Sequence, residues 1–324
     1  MKALSVFSGG LDSLLAATLI REQGIDVLAL FFETPFFTSE RAVRSATSLG
    51  LPIKIIDITE SHLKMLKKPK HGYGQNMNPC IDCHTLMIRK AGERLEEEGA
   101  GFIITGEVVG QRPMSQNIKA LSMVESESGY KGLILRPLSA KRLPVTIPEE
   151  KGWVDRDKLM GYSGRSRKPQ MALAKILNIH DYPSPAGGCL LTDGVFSRRL
   201  KDLFSSRPNA EVREIELLKL GRHFRIDPNA KLVVGRNKEE NQAIRALFRE
   251  MDLMVIPVSV PGPTVLALGT LSPEIEAFAL SLAVSYSDAG ETDIVEVRLL
   301  EKGVERVVRA KGRAGKEAYQ GYMI

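Results

Sequence analysis

The first half of the chain reads as an α/β domain on a doubly wound parallel sheet, followed by a smaller α+β domain. Three observations predict this. Short apolar segments alternate with amphipathic helical stretches over residues 1–105, glycines close the helical stretches, and the composition turns basic after about residue 195. The expected domains are therefore 1–195 and 196–324.

Taken in order, Ala3 to Phe7 is a strand, 14–23 a helix, Asp26 to Phe32 a strand and 38–49 a helix. Ile53 to Asp57 is a third strand, 84–98 a helix, and Phe102 to Thr105 a fourth strand. Gly24, Gly50 and Gly99 each follow a helical pattern, where a C-terminal cap belongs. Between the third strand and the next helix, Lys64 to Pro79 reads as a long loop with Lys64, Lys67, Lys68, Lys70 and His71; such loops are usually functional or mobile. A helical segment spans 170–178, and the alternation Asp293 to Leu299 marks solvent-facing strands near 280–324, whose function is not readable.

A chain of 324 residues, 43% hydrophobic, can bury a full core in two or three units. No apolar run approaches the ~18 residues that span a bilayer, and Lys2 leads straight into a strand where a signal peptide would lie. The expected location is the cytoplasm. Three cysteines, two of them spaced Cys-x-x-Cys, argue for metal or redox chemistry in a reducing compartment.

Ser8-Gly9-Gly10-Leu11-Asp12-Ser13 sits where the first strand gives way to the first helix. Paired glycines let the backbone turn sharply and present N–H groups to an anion, and the helix N-terminus adds partial positive charge. Ser13 is placed to cap the helix. An ordinary glycine-rich turn is the bland alternative, but the full hexapeptide in this context favours a nucleotide's phosphates. Open sheets bind ligands at the carboxyl ends of their strands, so the loop, Phe32-Glu33-Thr34 and Thr105-Gly106-Glu107 should face one crevice.

Cys80-Ile81-Asp82-Cys83-His84 places two thiols at a helix start, where the dipole favours thiolates. A redox pair, half of a zinc site, a pair of iron–sulfur ligands and two unrelated core thiols all fit. Cys189, in Gly187-Gly188-Cys189-Leu190-Leu191-Thr192-Asp193, narrows the choice. Three cysteines are an incomplete zinc set unless His84 or an acid joins them, whereas they can hold three irons of a 4Fe–4S cluster and leave one iron open.

The hexapeptide resembles the SGGxDS loop of the PP-loop ATP pyrophosphatases, which cleave ATP to AMP and pyrophosphate while activating a carbonyl oxygen. It is not a Walker A loop, because no Gly-Lys-Ser/Thr follows. Asn78-Pro79-Cys80 to Cys83 resembles the first catalytic motif of tRNA 2-thiouridylases, and Gly187 to Asp193 resembles the segment around their second catalytic cysteine. Thr105-Gly106-Glu107 through Gln111 to Gln116 is similar to a segment of tRNA 4-thiouridine synthetases, and Arg136-Pro137-Leu138 echoes related thiolases. The likeness spans about residues 1–195. No THUMP-like region precedes the loop and no rhodanese cysteine follows Cys189, so sulfur relay through an appended domain is not expected.

Residues 198–249 hold 13 Lys and Arg against 7 Asp and Glu, an excess of 6 that equals the whole chain's formal charge of +6. A solvated helix face is the bland reading, and a polyanionic partner is the functional one. Leu220 to Arg225 and Val233 to Asn241 resemble the NFACT-R-type RNA-binding module, over about 198–260. Arg222, Arg225 and Arg236, together with Arg165, Arg167 and Lys168, are the candidate RNA contacts. Trp153 and Tyr162 read as base-stacking or core residues, and His62, His180 and His223 show no metal spacing.

The resemblance implies an ATP-dependent tRNA sulfurtransferase. Ser8, Gly9, Gly10, Asp12, Ser13, Phe32 and Gly106 would hold ATP, with Asp12 assisting through Mg2+ or helix-start geometry. Cys80, Cys83 and Cys189 would hold the cluster and, with Asp12, form the catalytic set. The expected partners are tRNA and a sulfur donor, either sulfide or a cysteine desulfurase; neither the target nucleoside nor the oligomeric state is readable, a homodimer being one option. Two other readings stand beside it: the same ATP chemistry thiolating or amidating a small molecule, and a cluster-bearing RNA-binding protein with a degenerate ATPase.

Overall fold

The computed structural model describes residues 1–182, 189–290, 292–311 and 315–324. The chain divides into two compact units, Met1–Thr192 and Asp193–Ile324. Gly187 and Gly188, expected to bring the backbone close to a ligand beside Cys189, lie outside the described residues.

Unit 1 is built on five parallel strands in the order β3-β2-β1-β4-β5: β1 (Lys2–Val6), β2 (Asp26–Glu33), β3 (Ile53–Asp57), β4 (Phe102–Thr105) and β5 (Ile134–Leu135). Successive residues on each strand point to opposite faces, and both faces are buried at the central strands, while the edge strand β3 exposes Lys54, Ile55 and Asp57. Ala3, Ala29, Phe31 and Ile104 pack with α1 (Leu11–Arg21) and α2 (Glu40–Ser48). Leu4, Leu30, Phe32 and Ile103 pack on the other side, with Ile88 and Ala91 of α4 (Cys80–Gly92) and Val124 of α5 (Ile118–Ser128). The strand order reverses between β1 and β4, so the crevice above their carboxyl ends is the switch point where such sheets bind ligands. Two further helices, α6 (Ile147–Glu150) and α7 (Lys168–Ile176), complete the unit.

Several boundaries differ from the sequence reading. Helix α3 (Thr59–Lys67) takes up the start of the predicted loop: the Asp57 carboxylate accepts from Thr59 N at 2.7 Å, and His62 and Leu66 are buried beneath it. The loop is thus residues 68–79. Helix α4 starts at Cys80 instead of residue 84, because the Pro79 carbonyl accepts from Cys83 N at 2.9 Å and closes the first turn around the cysteines. Ser13 does not cap α1. The Ncap is Gly10, and Ser13 lies inside the helix with its Oγ donating to Gly10 O at 2.8 Å. Trp153 stacks on Phe102, with centroids 6.4 Å apart, and Tyr162 packs on another cluster, so both serve the core.

Unit 2 opens with α8 (Gly194–Ser206) and α9 (Val212–Leu218), followed by β6 (Arg222–Asp227), β7 (Ala230–Val234), α10 (Lys238–Ala246), β8 (Leu253–Pro257) and β9 (Val265–Gly269). Helix α11 (Pro273–Ser285) and the hairpin of β10 (Ile294–Glu301) and β11 (Val304–Lys311) follow. The six strands form one antiparallel sheet, β11-β10-β8-β9-β7-β6. Helix α11 buries Ile275, Ala279 and Leu282 on one face, while Leu217 and Ile244 cover the other. The expected terminal strands are β10 and β11, though 280–285 belong to α11.

Candidate active site

A cavity of about 890 Å3 opens at the switch point of unit 1, within the roughly 300–1,000 Å3 typical of cofactor sites. Ser8, Gly10, Asp12, Ser13, Phe32 and Gly106, six of the seven proposed nucleotide residues, line it. Leu11 and Asp12 occupy the first turn of α1, so their N–H groups have no helical acceptor and are free to receive an anion. Gly9 is not on the wall. Its φ is +72°, and a Cβ there would stand 2.6 Å from Ala42 Cα, so glycine is required by the packing of the loop on α2. Gly106 is required in the same way: a Cβ would fall 2.6 Å from Asp12 C and Ser13 N. Gly10 has ordinary backbone angles and only Ser8 Oγ, 3.5 Å away, near its ideal Cβ. What Gly10 leaves open is space on the cavity wall.

Asp12 Oδ2 accepts from Gln111 Nε2 at 2.9 Å and from Arg167 Nη2 at 3.2 Å. Arg167 and Arg165, read from sequence as RNA contacts, thus stand on the wall of this cavity, because Ser163 bridges to Val109 and carries the segment before α7 across the crevice. Lys168 is exposed at the start of α7.

All three cysteines open onto the same cavity. Asn78 Nδ2 donates to Cys80 Sγ at 3.3 Å, and Cys83 Sγ lies 3.6 Å from His62 Nε2. Burial, then the neighbouring Cys189 and Cys80 sulfurs, pushes the Cys83 thiol pKa up; burial does the same to Cys189. Burial also lowers His62 to about 4, so its imidazole is neutral at pH 7. Among the described residues no group of three or more His, Cys, Asp or Glu is drawn together as a metal-ligand set. The expected triad of Cys80, Cys83 and Cys189 shares a cavity, and the sulfurs of Cys80 and Cys83 each engage a separate protein partner. Thiols ligate a metal as thiolates, the form that burial opposes at Cys83 and Cys189.

Sequence reasoning missed a buried polar chain beside the thiols. His84 Nδ1 lies 2.6 Å from Glu107 Oε1, and Arg136 Nε donates to Glu107 Oε2 at 3.0 Å. His84 is therefore engaged by a carboxylate, and Arg136 is the buried cation on the other oxygen of that carboxylate. The local signal was the acid in Thr105-Gly106-Glu107, at the end of a strand facing the crevice.

In unit 2 seven of the 13 cations counted over 198–249 are paired with carboxylates among the described residues, so the pairs occupy particular arginines and leave the net excess in place. Asp202 accepts from Arg225 Nε at 2.9 Å and lies 3.4 Å from Lys231 Nζ; Arg236 forks onto Glu240, with Nε to Oε1 at 3.0 Å. Arg222 lies over the Tyr286 ring at 4.9 Å. Arg225 and Arg236 are thus committed to carboxylates. Arg198, Lys201 and Arg222 have no ion-pair partner among the described residues.

Residues 1–142 match the family model of the thiamine biosynthesis protein (ThiI), and residues 221–323 that of the NFACT protein RNA binding domain. The resemblances to the tRNA-thiolating PP-loop branch and to the NFACT-R module are matched; the segment around Cys189 lies outside both matches. The C-terminal match begins at 221 instead of 198 and takes in the terminal strands. Among solved structures, a 4-thiouridine synthetase–RNA complex with bound ATP is 23% identical, TM-score 0.35, over 55% of this chain and 51% of that one. The chain thus spans about half the length of that synthetase. A predicted tRNA methyltransferase subunit from Methanocaldococcus jannaschii is 20% identical, TM-score 0.32, over 42% of this chain and 69% of that one. The C-terminal part of a fibronectin/fibrinogen-binding protein from Streptococcus suis is 14% identical, TM-score 0.28, over 82% and 94%. No helix among the described residues is long and apolar enough to cross a membrane.

Proposed function

We propose that this chain is an ATP-dependent tRNA sulfurtransferase that activates a uridine carbonyl and replaces its oxygen with sulfur. The observation that carries the reading is the convergence of the glycine loop and three cysteines on one cavity, in a unit whose residues 1–142 match the ThiI family. A carbonyl oxygen is a poor leaving group until it carries a phosphoryl group. The loop's amides would orient ATP and stabilise charge as pyrophosphate departs. Asp12 would help to hold Mg2+. The adenylated carbon would face the thiols across the same cavity, with AMP as the second leaving group. Cys80, Cys83 and Cys189 would hold a 4Fe–4S cluster, which when bound supplies an iron position open to sulfur. The match of residues 221–323 to an RNA-binding domain supports tRNA over a small molecule as acceptor. A target base must be extruded or lie in an exposed loop, since a stacked base does not reach such a crevice.

Mass spectrometry of tRNA nucleosides from a deletion strain tests this. One thiolated uridine should disappear, return with the wild-type gene, and stay absent with Asp12→Ala or Cys80→Ala. An unchanged nucleoside profile would return the small-molecule acceptor to first place.

A further inference from the structure

We infer that Arg167 supplies the cationic charge that the glycine loop lacks, binding the pyrophosphate end of ATP and exchanging that contact with Asp12. This rests on the ATP reading above. Ser8 to Ser13 contains no lysine or arginine, so its amides meet a polyphosphate without a full positive charge of their own. Several arginines line the cavity, and Arg167 is the one whose guanidinium bonds to a loop side chain, with Nη2 3.2 Å from Asp12 Oδ2.

A second, independent observation points to a ligand. Arg167 Nε and Asp12 Oδ1 are buried and have no hydrogen-bond partner among the described residues. Leaving such groups unpaired costs about 1–3 kcal/mol each, so native structures rarely keep them. An Arg167 facing a phosphate would satisfy Nε and Nη2 together, as guanidinium groups do with tetrahedral oxyanions. Asp12, released from Arg167, would keep its bond from Gln111 and offer its unpartnered Oδ1 to a cation accompanying the nucleotide.

In the reaction, a bond forms between the carbonyl oxygen of the base and the α-phosphorus, and the bond from that phosphorus to the bridging oxygen breaks. The electron pair leaves with pyrophosphate, and the base's ring N–H proton passes to water. Arg167 would carry the charge that grows on the departing pyrophosphate. It would act in the transition state more than in ATP binding.

The test measures calorimetric affinity for pyrophosphate and for AMP, and kcat and KM for AMP formation, in wild type, Arg167→Ala and Arg167→Lys. Arg167→Ala should weaken pyrophosphate at least tenfold, leave AMP affinity unchanged, and lower kcat by about a hundredfold or more. Arg167→Lys should recover part of the pyrophosphate affinity but little of kcat. Equal losses for AMP and pyrophosphate, or unchanged pyrophosphate affinity and kcat with only a lower Tm, would assign Arg167 a structural role and overturn the inference. A wild-type protein that binds neither ATP nor pyrophosphate would overturn the ATP reading as well.

Discussion

Glu107 and Arg136 form an ion pair inside unit 1, with side chains 6% and 3% exposed and Oε2 to Nε at 3.0 Å. Burial alone would raise the Glu107 pKa; the Arg136 charge and the His84 hydrogen bond outweigh it and hold the group at about 2. The folded pKa lies below the ordinary 4.5, so the stabilisation is complete above 4.5 and is lost as pH falls towards 2. Glu107→Gln should remove that part of the acid dependence. Arg136→Ala should cost about 3 kcal/mol at pH 7, because it leaves the buried Glu107 carboxylate with only its His84 and Thr105 contacts. Urea unfolding followed by Trp153, the chain's single tryptophan, reports on unit 1. Loss under 1 kcal/mol in Arg136→Ala would mean that the pair is solvated.

The loop glycines should separate by effect. Gly9→Ala places a Cβ against the α2 backbone at φ +72° and should cost about 2 kcal/mol or more. Gly10→Ala meets no such obstacle and should change stability by no more than about 1 kcal/mol. It should nonetheless weaken ATP binding at least tenfold by filling cavity space. Thermal melts paired with nucleotide titration decide this; normal ATP affinity in Gly10→Ala would place the phosphates elsewhere.

Much of unit 1 was legible in the sequence because its strands are continuous apolar runs and its helices end on glycines of positive φ, such as Gly24 and Gly50. The glycine loop and the Cys-x-x-Cys helix start are local too. What escaped was set by distant partners: Arg167 meets Asp12 across 155 positions, and Arg136 meets Glu107 across 29. Arg225 looked available because Asp202, 23 residues earlier, gives no local sign of approaching it. The Arg236–Glu240 pair, by contrast, has the i,i+4 spacing and could have been read directly.

Protein purified without oxygen should carry about four iron and four sulfide per chain. Iron should be lost in each of Cys80→Ala, Cys83→Ala and Cys189→Ala, with ATP affinity retained. Elemental analysis and the visible absorption spectrum provide the check. Stoichiometric zinc, or full iron in Cys189→Ala, would sink the cluster assignment.

If unit 2 holds tRNA through phosphates, affinity should fall roughly a thousandfold from 50 to 200 mM salt for about six contacts. Replacing Arg198, Lys201 and Arg222 with alanine should flatten the log–log salt slope by about two to three. Arg225→Ala should instead lower stability, because it strips Asp202 of a two-bonded partner. Filter binding across a salt series reads the slope, and an unchanged slope in the triple variant would move the RNA surface off these residues.

Asp82, between the two cysteines, has a reach beyond them. Its Oδ1 accepts from the amide of Lys70 at 2.9 Å and its Oδ2 from that of His71 at 3.1 Å. A single carboxylate thus ties the first turn of α4 to the chain that leads into it. Amide hydrogens at Lys70 and His71 should exchange with solvent at a rate set by the integrity of that turn, despite their place in a loop. Two backbone positions about ten residues upstream become reporters of whatever happens at the sulfurs, readable by deuterium uptake without touching a cysteine.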